Sequence, residues 1–461
     1  MVAAVDMIET IDPTTGRVLE RFAVMDSSAI DRKLDAAARC APVWAAVSFE
    51  ERAQLLRATA QRLRAERDSL AATAVREMGK PIVQARAEVE KCAFGLDYFA
   101  DHGAAMLAPA SAPSAASRSY VAFRPLGVLL AIMPWNFPFW QVVRAAAPAL
   151  MAGNPIVLKH AANTTRCALE LERIFAEAGA PQGLFGVLIA RGEGLERLVA
   201  DQRIAAVTLT GSERAGVAVA RAAGESLKKC VLELGGSDPF VVLADADLAA
   251  AARTAVTARF QNNGESCIAA KRFIVESGIY DEFLARFAEL ADAQIVGNPM
   301  EERVQLGPCA RDDLRTSVHD QVSATLDDGA RLVLGGKPLE RDGFFYSPTI
   351  VGEVRPGMRM FDEEVFGPAA AVVRATDREH ALALANASTF GLGSSVWTRD
   401  VGAAEALASR VEAGAVFING MVASDPRLPF GGVKKSGYGR ELSAFGIHEF
   451  VNIQTVWIGA P

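Results

Sequence analysis

From about residue 121 onwards, short apolar runs alternate with Ala- and Leu-rich stretches of helical length, and this alternation constrains the fold more than any other sequence feature. The runs of the first set are Gly127–Met133, Pro155–Lys159, Gly183–Ile189, Ala205–Leu209 and Val231–Leu234. Strand–helix–strand repeats of this kind predict a parallel sheet with helices packed on its faces.

A second set of the same kind follows. Its predicted strands are Arg272–Glu276, Ala369–Arg374 and Ser394–Trp397, and its predicted helices are Tyr280–Ala293 and His380–Asn386. Two sets predict two α/β domains, and a cleft between such domains is the usual place for a ligand.

The segments outside these sets are also patterned. Ser27–Arg64 and Ser69–Met106 carry apolar residues at helical spacing, which predicts helices. The Ala/Ser/Pro-rich piece Ala108–Ser117 is the expected exposed connection. A final strand is predicted at Glu449–Gly459, and its open edge suits pairing with a partner subunit.

Composition excludes several classes of protein. The 461 residues include 48 basic and 55 acidic ones and no Lys/Arg run, which argues against a nucleic-acid partner. The start MVAAVDMIETIDPTTG lacks a basic region before an apolar core, so we expect no signal peptide. No apolar run reaches the roughly 18 residues of a membrane span. Six scattered cysteines without a CxxC pair indicate a reducing compartment, by default the cytoplasm, and no metal site is predicted.

The segment FQNNGESC carries a cysteine, Cys267, between a polar turn and an apolar strand. Glycine in the turn allows backbone conformations that leave the following amides free. Free amides stabilise a thiolate or an oxyanion. Cys267 is therefore a candidate nucleophile, and a buried core thiol is the alternative.

Glu233 ends another apolar run and is followed, one residue later, by two glycines. A carboxylate at such a place is costly unless it is exposed or used. Buried beside a thiol, it would have a raised pKa and could activate water as a general base. A solvated strand end is the alternative.

The segment PWNFPFWQVVR spaces an amide, an indole and a guanidinium four residues apart, at Asn136, Trp140 and Arg144. If a helix begins near Pro138, these side chains share one ridge and face one pocket. The amide could donate to an oxyanion, and the guanidinium suits a carboxylate. Alternatively, Asn136 caps the helix and Arg144 extends to the surface.

Two strand ends are candidates for nucleotide contacts. In TLTGSERAG a strand would run through Gly211 and Ser212 into a helix, whose N-terminus offers free amides and a favourable dipole to a phosphate. An ordinary capped helix is the alternative there. Lys159 ends a predicted strand, where a ribose often meets a polar residue.

Together and in this order, these segments resemble the aldehyde dehydrogenase superfamily from about Asp12 to Val456. The similar stretches are PWNFP, LKHAAN, TLTGSERAG, LELGGSDP, FQNNGESC, EEVFGP, FGLGSSVW and PFGGVKKSGYGRE. Within the family, NGESCIAAKRFIV and FINGMVASDPRLPFGGVKKSGYGRELS are especially similar to the bacterial succinate-semialdehyde dehydrogenases.

The resemblance implies an α/β fold of two Rossmann-like parallel-sheet domains with a small β oligomerisation region. The expected dinucleotide-binding domain comprises residues 1–106 and 124–234, and the catalytic domain comprises residues 235–440. Residues 107–123 and 441–461 would form the oligomerisation region of a homodimer or homotetramer, with a β-excursion near Ala108–Phe123.

The resemblance also implies a role for each matching position. Cys267 is the expected nucleophile, Glu233 the general base and Asn136 the oxyanion donor beside the Cys267 amide. The positions expected to bind the cofactor are Trp135, Lys159, Ala162, Gly211, Ser212, Glu364 and Phe366. The thiolate would attack an aldehyde, the thiohemiacetal would pass hydride to nicotinamide, and water would hydrolyse the thioester.

Arg144 is the residue that most constrains which substrate is expected. It matches an arginine that semialdehyde-oxidising relatives use to hold a distal carboxylate, with Ser424 as a helper hydroxyl and Trp140 in the same pocket. Some succinate-semialdehyde enzymes have a second arginine where this chain has Gln261. Succinate semialdehyde is therefore the expected substrate, and glutarate semialdehyde or a simple aliphatic aldehyde stays open.

The cofactor expectation depends on Ala162. NAD-preferring relatives often have a glutamate three residues after the ribose lysine, and Ala162 occupies that position here. No carboxylate in KHAANTT would repel a 2′-phosphate, and Lys159 would attract it. The sequence favours NADP, with NAD possible.

Two other functions compete with this prediction. A CoA-acylating semialdehyde dehydrogenase would resolve the thioester with CoA, but it would need no water-activating Glu233. An inactive binding protein on the same scaffold would need no intact set of Cys267, Glu233, Asn136 and Lys159. No second thiol flanks Cys267, so we expect no disulfide with an adjacent cysteine.

Overall fold

A computed structural model describes residues 6–460, so the first five residues of the segment tested for a signal peptide lie outside it. The strands are β1 (Met7–Asp12), β2 (Arg17–Ala23), β3 (Ala110–Ser111), β4 (Arg118–Pro125), β5 (Val128–Met133), β6 (Ile156–His160), β7 (Phe185–Leu188), β8 (Ile204–Thr210), β9 (Lys229–Glu233), β10 (Asp238–Val242), β11 (Ala270–Glu276), β12 (Arg331–Leu334), β13 (Thr349–Gly352), β14 (Ala369–Ala375), β15 (Phe390–Gly391), β16 (Gly393–Trp397), β17 (Ala415–Ile418), β18 (Val433–Lys434), β19 (Gly437–Tyr438) and β20 (Val451–Ile458).

The α-helices are α1 (Ser27–Ala46), α2 (Phe49–Ala65), α3 (Arg67–Met78), α4 (Ile82–Met106), α5 (Trp140–Ala152), α6 (Thr165–Glu177), α7 (Leu195–Ala200), α8 (Glu213–Glu225), α9 (Leu248–Phe260), α10 (Tyr280–Asp292), α11 (Asp312–Asp327), α12 (Arg359–Asp362), α13 (Arg378–Asn386), α14 (Val401–Ala408) and α15 (Ser443–Glu449). Two 3₁₀ turns cover Ala162–Thr164 and Gln261–Gly264.

Five strands of the first set form a parallel sheet in the spatial order β7-β6-β5-β8-β9, and the short β19 adds antiparallel to β9. After β5 the chain adds β6 and then β7 on one side of that strand. It then crosses back and adds β8 and β9 on the other side. The strand order therefore reverses between β5 and β8. Ligands of open α/β sheets bind outside the carboxyl ends of the strands at such a reversal.

The second set forms a seven-stranded sheet in the order β12-β13-β14-β11-β10-β16-β17. All pairs in it are parallel except β12 with β13. The predicted α/β fold with two parallel sheets is confirmed, and β10, β12, β13 and β17 are additional strands that the sequence did not predict.

A third, antiparallel sheet has the order β20-β4-β3. It joins the Ala/Ser/Pro-rich connection to the C-terminal strand, and the eight residues of β20 pair with β4 along their whole length. Ile453 and Trp457 on β20 are each 59% exposed. The predicted final strand is therefore present, with an apolar surface in solvent.

The two N-terminal helical stretches are each broken, which the apolar spacing alone did not indicate. Ser48 begins α2 with a reciprocal capping box that includes Glu51, and such a cap starts a new helix. Gly79 ends α3 in the left-handed region at φ 79°, and Pro81 precedes α4. A left-handed glycine and a proline both stop a helix.

The helix α5 is buried along its whole length. It lies in a core shared with α2, α4 and the first sheet. Every polar side chain on α5 therefore needs a hydrogen-bond or ion-pair partner inside the protein. Those partners surround the site described below.

Candidate active site

A cleft of about 360 Å³ opens where the strand order of the first sheet reverses. Residues following β5, β8 and β9 line one side, and residues from the loops before β11 and β14 line the other. The lining comprises Pro134, Trp135, Asn136, Gln141, Thr210, Gly211, Ser212, Glu233, Leu234, Gly235, Cys267, Arg311, Leu314, Glu364 and Phe366. The structure thus brings the predicted nucleophile, base and oxyanion donor to one cleft.

Two asparagines hold the loop that presents Cys267. Asn262 and Asn263 have left-handed backbones, with φ of 54° and 60°, a region that asparagine tolerates better than most residues. The Asn262 amide donates to the carbonyls of Asn136 and Glu265, each at 2.9 Å. The Asn263 amide donates to the carbonyls of Gly79 and Pro308, also at 2.9 Å. The loop is therefore tied to the segment after β5 and to the α3–α4 connection.

A buried lysine and a glycine fix the other side of the loop. Lys271 Nζ donates to the carbonyls of Ser266 and Cys267, at 2.8 and 2.5 Å. A Cβ on Gly236 would lie 2.7 Å from the Cys267 carbonyl oxygen, so only glycine allows this approach. The backbone around the thiol is held from both sides.

Glu233 is buried at the end of β9. Burial raises the pKa of Glu233 to about 7, against the lowering effect of the Arg144 guanidinium. Arg144 Nη2 lies 3.4 Å from Glu233 Oε2, and Arg144 Nε lies 2.5 Å from Glu441 Oε2. A carboxyl group with a pKa near neutrality is matched to general-base catalysis.

Cys267 lines the same cleft as a half-buried thiol. Burial raises the pKa of Cys267 well above its ordinary value, and the nearby Glu233 carboxylate raises it further. Arg144 and Lys271 act in the opposite direction. The thiol is therefore protonated at rest, and an adjacent base must take its proton before it attacks.

Asn136 lies in the turn before α5 and not on the helix. Because α5 begins at Trp140, the predicted ridge of Asn136, Trp140 and Arg144 does not form, and Asn136 does not cap the helix. Asn136 Nδ2 instead donates to the Glu265 carbonyl at 3.0 Å, and Gln141 Nε2 donates to Asn136 Oδ1 at 3.0 Å. A carboxamide has two N–H donors, so one remains for an oxyanion.

The predicted cofactor turn lies beside the thiol. Gly211 and Ser212 line the cleft, and Ser212 Oγ accepts from Ala215 N at 3.4 Å as the N-cap of α8. A second groove of about 590 Å³ begins at Ser212 and follows α8. The two recesses meet at one residue, which suits a long ligand that carries its phosphates at a helix N-terminus.

The remaining cofactor candidates flank this cleft. Glu364 Oε1 accepts from Gly236 N at 2.9 Å and lies 3.5 Å from Lys271 Nζ. Trp135 and Phe366 pack edge to face, with ring centroids 5.7 Å apart, and form an apolar wall of the cleft.

Lys159 and Ala162 lie farther along, at the end of β6. Lys159 is half-buried, and burial lowers its pKa. Ala162 begins the 3₁₀ turn after β6 and is exposed. No ion pair of Lys159 occurs within residues 6–460, so its charge is available to a phosphate or a ribose.

Of the predicted substrate residues, Trp140 and Arg144 lie on α5, and Ser424 contacts Trp140. Trp140 Nε1 donates to Ser424 Oγ at 3.0 Å. Arg144 is only 3% exposed and does not reach the surface, which excludes the alternative of an extended arginine. Lys91, which the sequence analysis did not single out, also donates to Ser424 Oγ, at 2.7 Å.

Glu88 is a further residue that the sequence analysis missed. Its Oε1 accepts from the backbone N–H groups of Phe139 and Trp140, each at 2.9 Å. Its other oxygen forms a buried ion pair with Lys80. Glu88 therefore caps α5 from a different helix and sets where Trp140 and Arg144 lie. The Asn-Asn-Gly turn was a local signal for Asn262 and Asn263, whereas Glu88, Lys91 and Lys271 had none.

Two features of the described residues bear on other classes of function. Within residues 6–460, no three His, Cys, Asp or Glu side chains come close enough together to hold a metal ion. None of the helices that the structure describes has both the length and the apolar character needed to span a bilayer.

Comparison with known proteins agrees with the geometry. The model of the aldehyde dehydrogenase family matches residues 2–456. The chain is 51% identical over 448 residues to the succinate semialdehyde dehydrogenase (NAD(P)+) Sad of Escherichia coli (strain K12), covering 97% of each chain. It is 50% identical over 454 residues to succinate-semialdehyde dehydrogenase (NADP(+)) 1 of Mycobacterium tuberculosis (strain ATCC 25618 / H37Rv), covering 98% of this chain and 99% of that one.

The fold is shared with solved structures. The succinic semialdehyde dehydrogenase from Streptococcus pyogenes in complex with NADP+ superposes with a TM-score of 0.96 at 37% identity, covering 98% of this chain and 100% of that one. The structure of Gox0499 superposes with a TM-score of 0.97 at 41% identity, with the same coverage.

Proposed function

The chain belongs to the aldehyde dehydrogenase family, and from that premise we propose that it oxidises succinate semialdehyde to succinate, with NADP as the preferred hydride acceptor and water as the final acyl acceptor. The observation that carries the proposal is the meeting of Cys267, Glu233 and Asn136 in one cleft, with the buried Arg144 in contact with Glu233. The relatives named for this reaction at about half identity support it.

The first step makes a carbon–sulfur bond. Glu233 accepts the thiol proton, and the Cys267 sulfur attacks the aldehyde carbon while the carbonyl electron pair moves to oxygen. The remaining Asn136 N–H and the Cys267 backbone N–H, which has no protein acceptor within residues 6–460, stabilise that oxyanion.

The residues present fit a nicotinamide dinucleotide. Gly211 and Ser212 would hold its phosphates at the start of α8, and Trp135, Glu364 and Phe366 would hold the nicotinamide half. Lys159 would attract a 2′-phosphate, and Ala162 places no carboxylate against it. When bound, the cofactor accepts the hydride from the substrate carbon, which leaves an acyl group on sulfur.

Glu233 releases the thiol proton to solvent and then acts a second time, on water. Its carboxylate removes a proton as the water oxygen bonds to the acyl carbon, and the sulfur leaves and is reprotonated. The balance is one aldehyde, one oxidised cofactor and one water giving one carboxylate, one reduced cofactor and two protons. Since a CoA-acylating enzyme needs no such base, the buried Glu233 favours water over CoA.

We also propose a role for each region of the chain. We propose that residues 1–106 and 124–234 bind the dinucleotide and that residues 235–440 carry the thiol. We propose that residues 107–123 and 441–461, which contain β3, most of β4 and β20, join subunits into a homodimer or homotetramer. The cytoplasm remains the proposed compartment.

One steady-state experiment tests the substrate and cofactor together. kcat/KM is measured for succinate semialdehyde, glutarate semialdehyde and butanal, each with NADP and NAD, and products are identified with and without CoA. We expect the highest value for succinate semialdehyde with NADP, and free succinate whether or not CoA is present. Equal values for butanal, or a succinyl-CoA product, would reject the proposal.

A further inference from the structure

Lys91 on α4 is half-buried and contacts Ser424 and Trp140, and none of the roles described above uses it. Its ammonium donates to Ser424 Oγ at 2.7 Å and lies 4.7 Å from the centre of the Trp140 ring. We propose that Lys91, Ser424 and Trp140 form the subsite that binds the distal carboxylate of the substrate, with Lys91 supplying the positive charge. This inference rests on the proposed function and deepens it.

The charge balance around Lys91 favours an anionic ligand. Arg144, the expected carboxylate ligand, already has Glu441 and Glu233 as ion-pair partners. Lys91 has no ion pair within residues 6–460. The acids that act on it electrostatically, Glu88 and Asp425, are themselves paired.

The partner of Glu88 is Lys80, and the partner of Asp425 is Arg427. Lys91 is therefore the cation of this cluster that lacks a carboxylate of its own. Burial and the nearby Arg144 lower the pKa of Lys91 to about 8. A carboxylate placed beside it would favour the charged form.

Lys91 and Ser424 also have more hydrogen-bond donors than acceptors among the described residues. Ser424 Oγ accepts from both Lys91 Nζ and Trp140 Nε1. A hydroxyl has two acceptor sites and one donor, so both acceptor sites are used and its own O–H must donate elsewhere. That O–H has no acceptor among the described residues, and the ammonium retains two N–H donors. Three donors converge there, which suits a carboxylate.

The spacing of residues along α5 is also compatible with the length of the substrate. Trp140 and Arg144 are four residues apart on α5 and share a ridge, which separates them by about 6 Å along the axis. Arg144 contacts Glu233, so the subsite begins one helical turn away from the base. Succinate semialdehyde spans roughly 4 Å from carbonyl carbon to carboxylate carbon across two methylene groups. The length of the substrate is thus of the same order as the one helical turn between Arg144 and Trp140.

Close packing of α4 on α5 makes the arrangement possible. Gly95 lies four residues after Lys91, on the same face of α4. A Cβ on Gly95 would approach the Trp140 ring to 2.9 Å. Glycine there lets the two helices come together, and the Lys91 side chain consequently lies along the indole.

The test compares Lys91→Met, which keeps the apolar stem and removes the charge, with Lys91→Arg, which keeps the charge. The readout is the ratio of kcat/KM for succinate semialdehyde to kcat/KM for butanal. Because a hydrogen bond to a charged group is lost, we expect Lys91→Met to lower this ratio by about ten- to a hundredfold, mainly through KM. Lys91→Arg should recover most of the ratio.

Two further variants keep the test decisive. Ser424→Ala removes a donor without changing charge and should lower the same ratio by roughly two- to tenfold. Lys337→Met, at an exposed lysine, removes the same charge elsewhere and should leave the ratio at its wild-type value. If Lys91→Met does not fold, Ser424→Ala and Lys91→Arg decide the question.

Inhibition by succinate gives an independent measurement. Succinate should inhibit butanal oxidation by the wild type, and the inhibition should weaken about tenfold or more in Lys91→Met. An unchanged selectivity ratio in Lys91→Met and Ser424→Ala would overturn the subsite while leaving the proposed function intact. A wild type that does not prefer succinate semialdehyde over butanal would instead overturn the proposed function.

Discussion

Glu233 shows how one side chain is prepared for two proton transfers. Its carboxyl group is 1% exposed, and burial alone would keep it protonated at neutral pH. Arg144 opposes burial by favouring the charged form, and the resulting pKa is about 7. Near neutrality the group is therefore balanced between accepting and releasing a proton.

The pH dependence of acyl-enzyme hydrolysis follows from this pKa. Only the carboxylate form of Glu233 can take a proton from water, so the hydrolysis rate should rise with pH through about 7 and then level off. Glu233→Gln should be slower by about 10²–10⁴-fold and should lack this rise. The measurement is the single-turnover hydrolysis rate between pH 5.5 and 8.5, roughly one and a half units on each side of that pKa. The same rise in Glu233→Gln would assign it to another group.

A single residue should also govern cofactor choice. Ala162→Glu places a carboxylate beside the expected 2′-phosphate, and like charges repel. We expect the ratio of kcat/KM with NADP to kcat/KM with NAD to fall by about tenfold or more, equivalent to about 1.4 kcal/mol. Ala162→Gln, which has the same shape without the charge, is the matched control. An equal fall in both variants would indicate a steric effect and no charge discrimination.

Local sequence predicted the site residues that sit at strand ends and turns. Glu233, Gly211 and Ser212 line the cleft because parallel strands bring their carboxyl ends to one edge, and Cys267 reaches the same cleft from the turn before β11. The partners of Arg144 could not be predicted in this way. Glu441 lies almost 300 positions later in the chain, and nothing near Arg144 indicates that a carboxylate already neutralises it.

At the scale of elements, the position of α5 depends on a charge from α4. Glu88 is buried, pairs with Lys80 and caps the first turn of α5 with two hydrogen bonds. The α5 N-cap residue, Phe139, makes no side-chain cap of its own. The positions of Trp140 and Arg144 on α5 therefore depend on a capping residue that lies about 50 positions earlier in the chain.

Removing this cap should be strongly destabilising. Glu88→Ala leaves Lys80 buried without a carboxylate and should lower the free energy of unfolding by about 3–5 kcal/mol. Glu90→Ala, on the same helix, removes a solvent-exposed pair with Arg64 and should cost at most about 1 kcal/mol. Denaturant unfolding monitored by circular dichroism measures both. Similar losses for the two variants would mean that Glu88 does not stabilise α5.

The elements themselves were largely predictable, and their ends were not. The strands of the first sheet lie within one or two residues of the predicted apolar runs, with Pro155–Lys159 realised as Ile156–His160. The breaks at Ser48 and Gly79 come from caps and left-handed turns, which apolar spacing does not register. Glu88 and Lys91 resembled residues of a solvated helix face, because the sequence does not reveal that α5 covers that face.

On the scale of the whole molecule, the sheet β20-β4-β3 presents an exposed strand with large apolar side chains. Six of the eight residues of β20 are exposed, and Ile453 and Trp457 lie among them. An exposed strand with apolar side chains favours pairing with another chain.

The oligomeric state tests this surface. Wild type should elute as a dimer or tetramer in size-exclusion chromatography with light scattering. Ile453→Asp combined with Trp457→Asp should shift the mass toward the monomer, because charges oppose burial of this surface. Val43→Asp, at a 63% exposed position of α1, should not. A monomeric wild type, or a double variant that stays assembled, would contradict the proposed oligomerisation region.

Intact-mass spectrometry of Glu233→Gln most directly tests the central claim, that a thioester on Cys267 is released by water that Glu233 activates. Because Glu233→Gln also removes the proton acceptor of the thiol, the variant is incubated with succinate semialdehyde and NADP for a long time at alkaline pH, so that the thiol loses its proton to solvent. The mixture is then quenched in acid and digested to locate any adduct. The account predicts one succinyl group per chain, on Cys267, together with one equivalent of NADPH, whereas wild type turns over and carries little adduct. NADPH formation without an acyl group on Cys267, or an adduct at another residue, would contradict it.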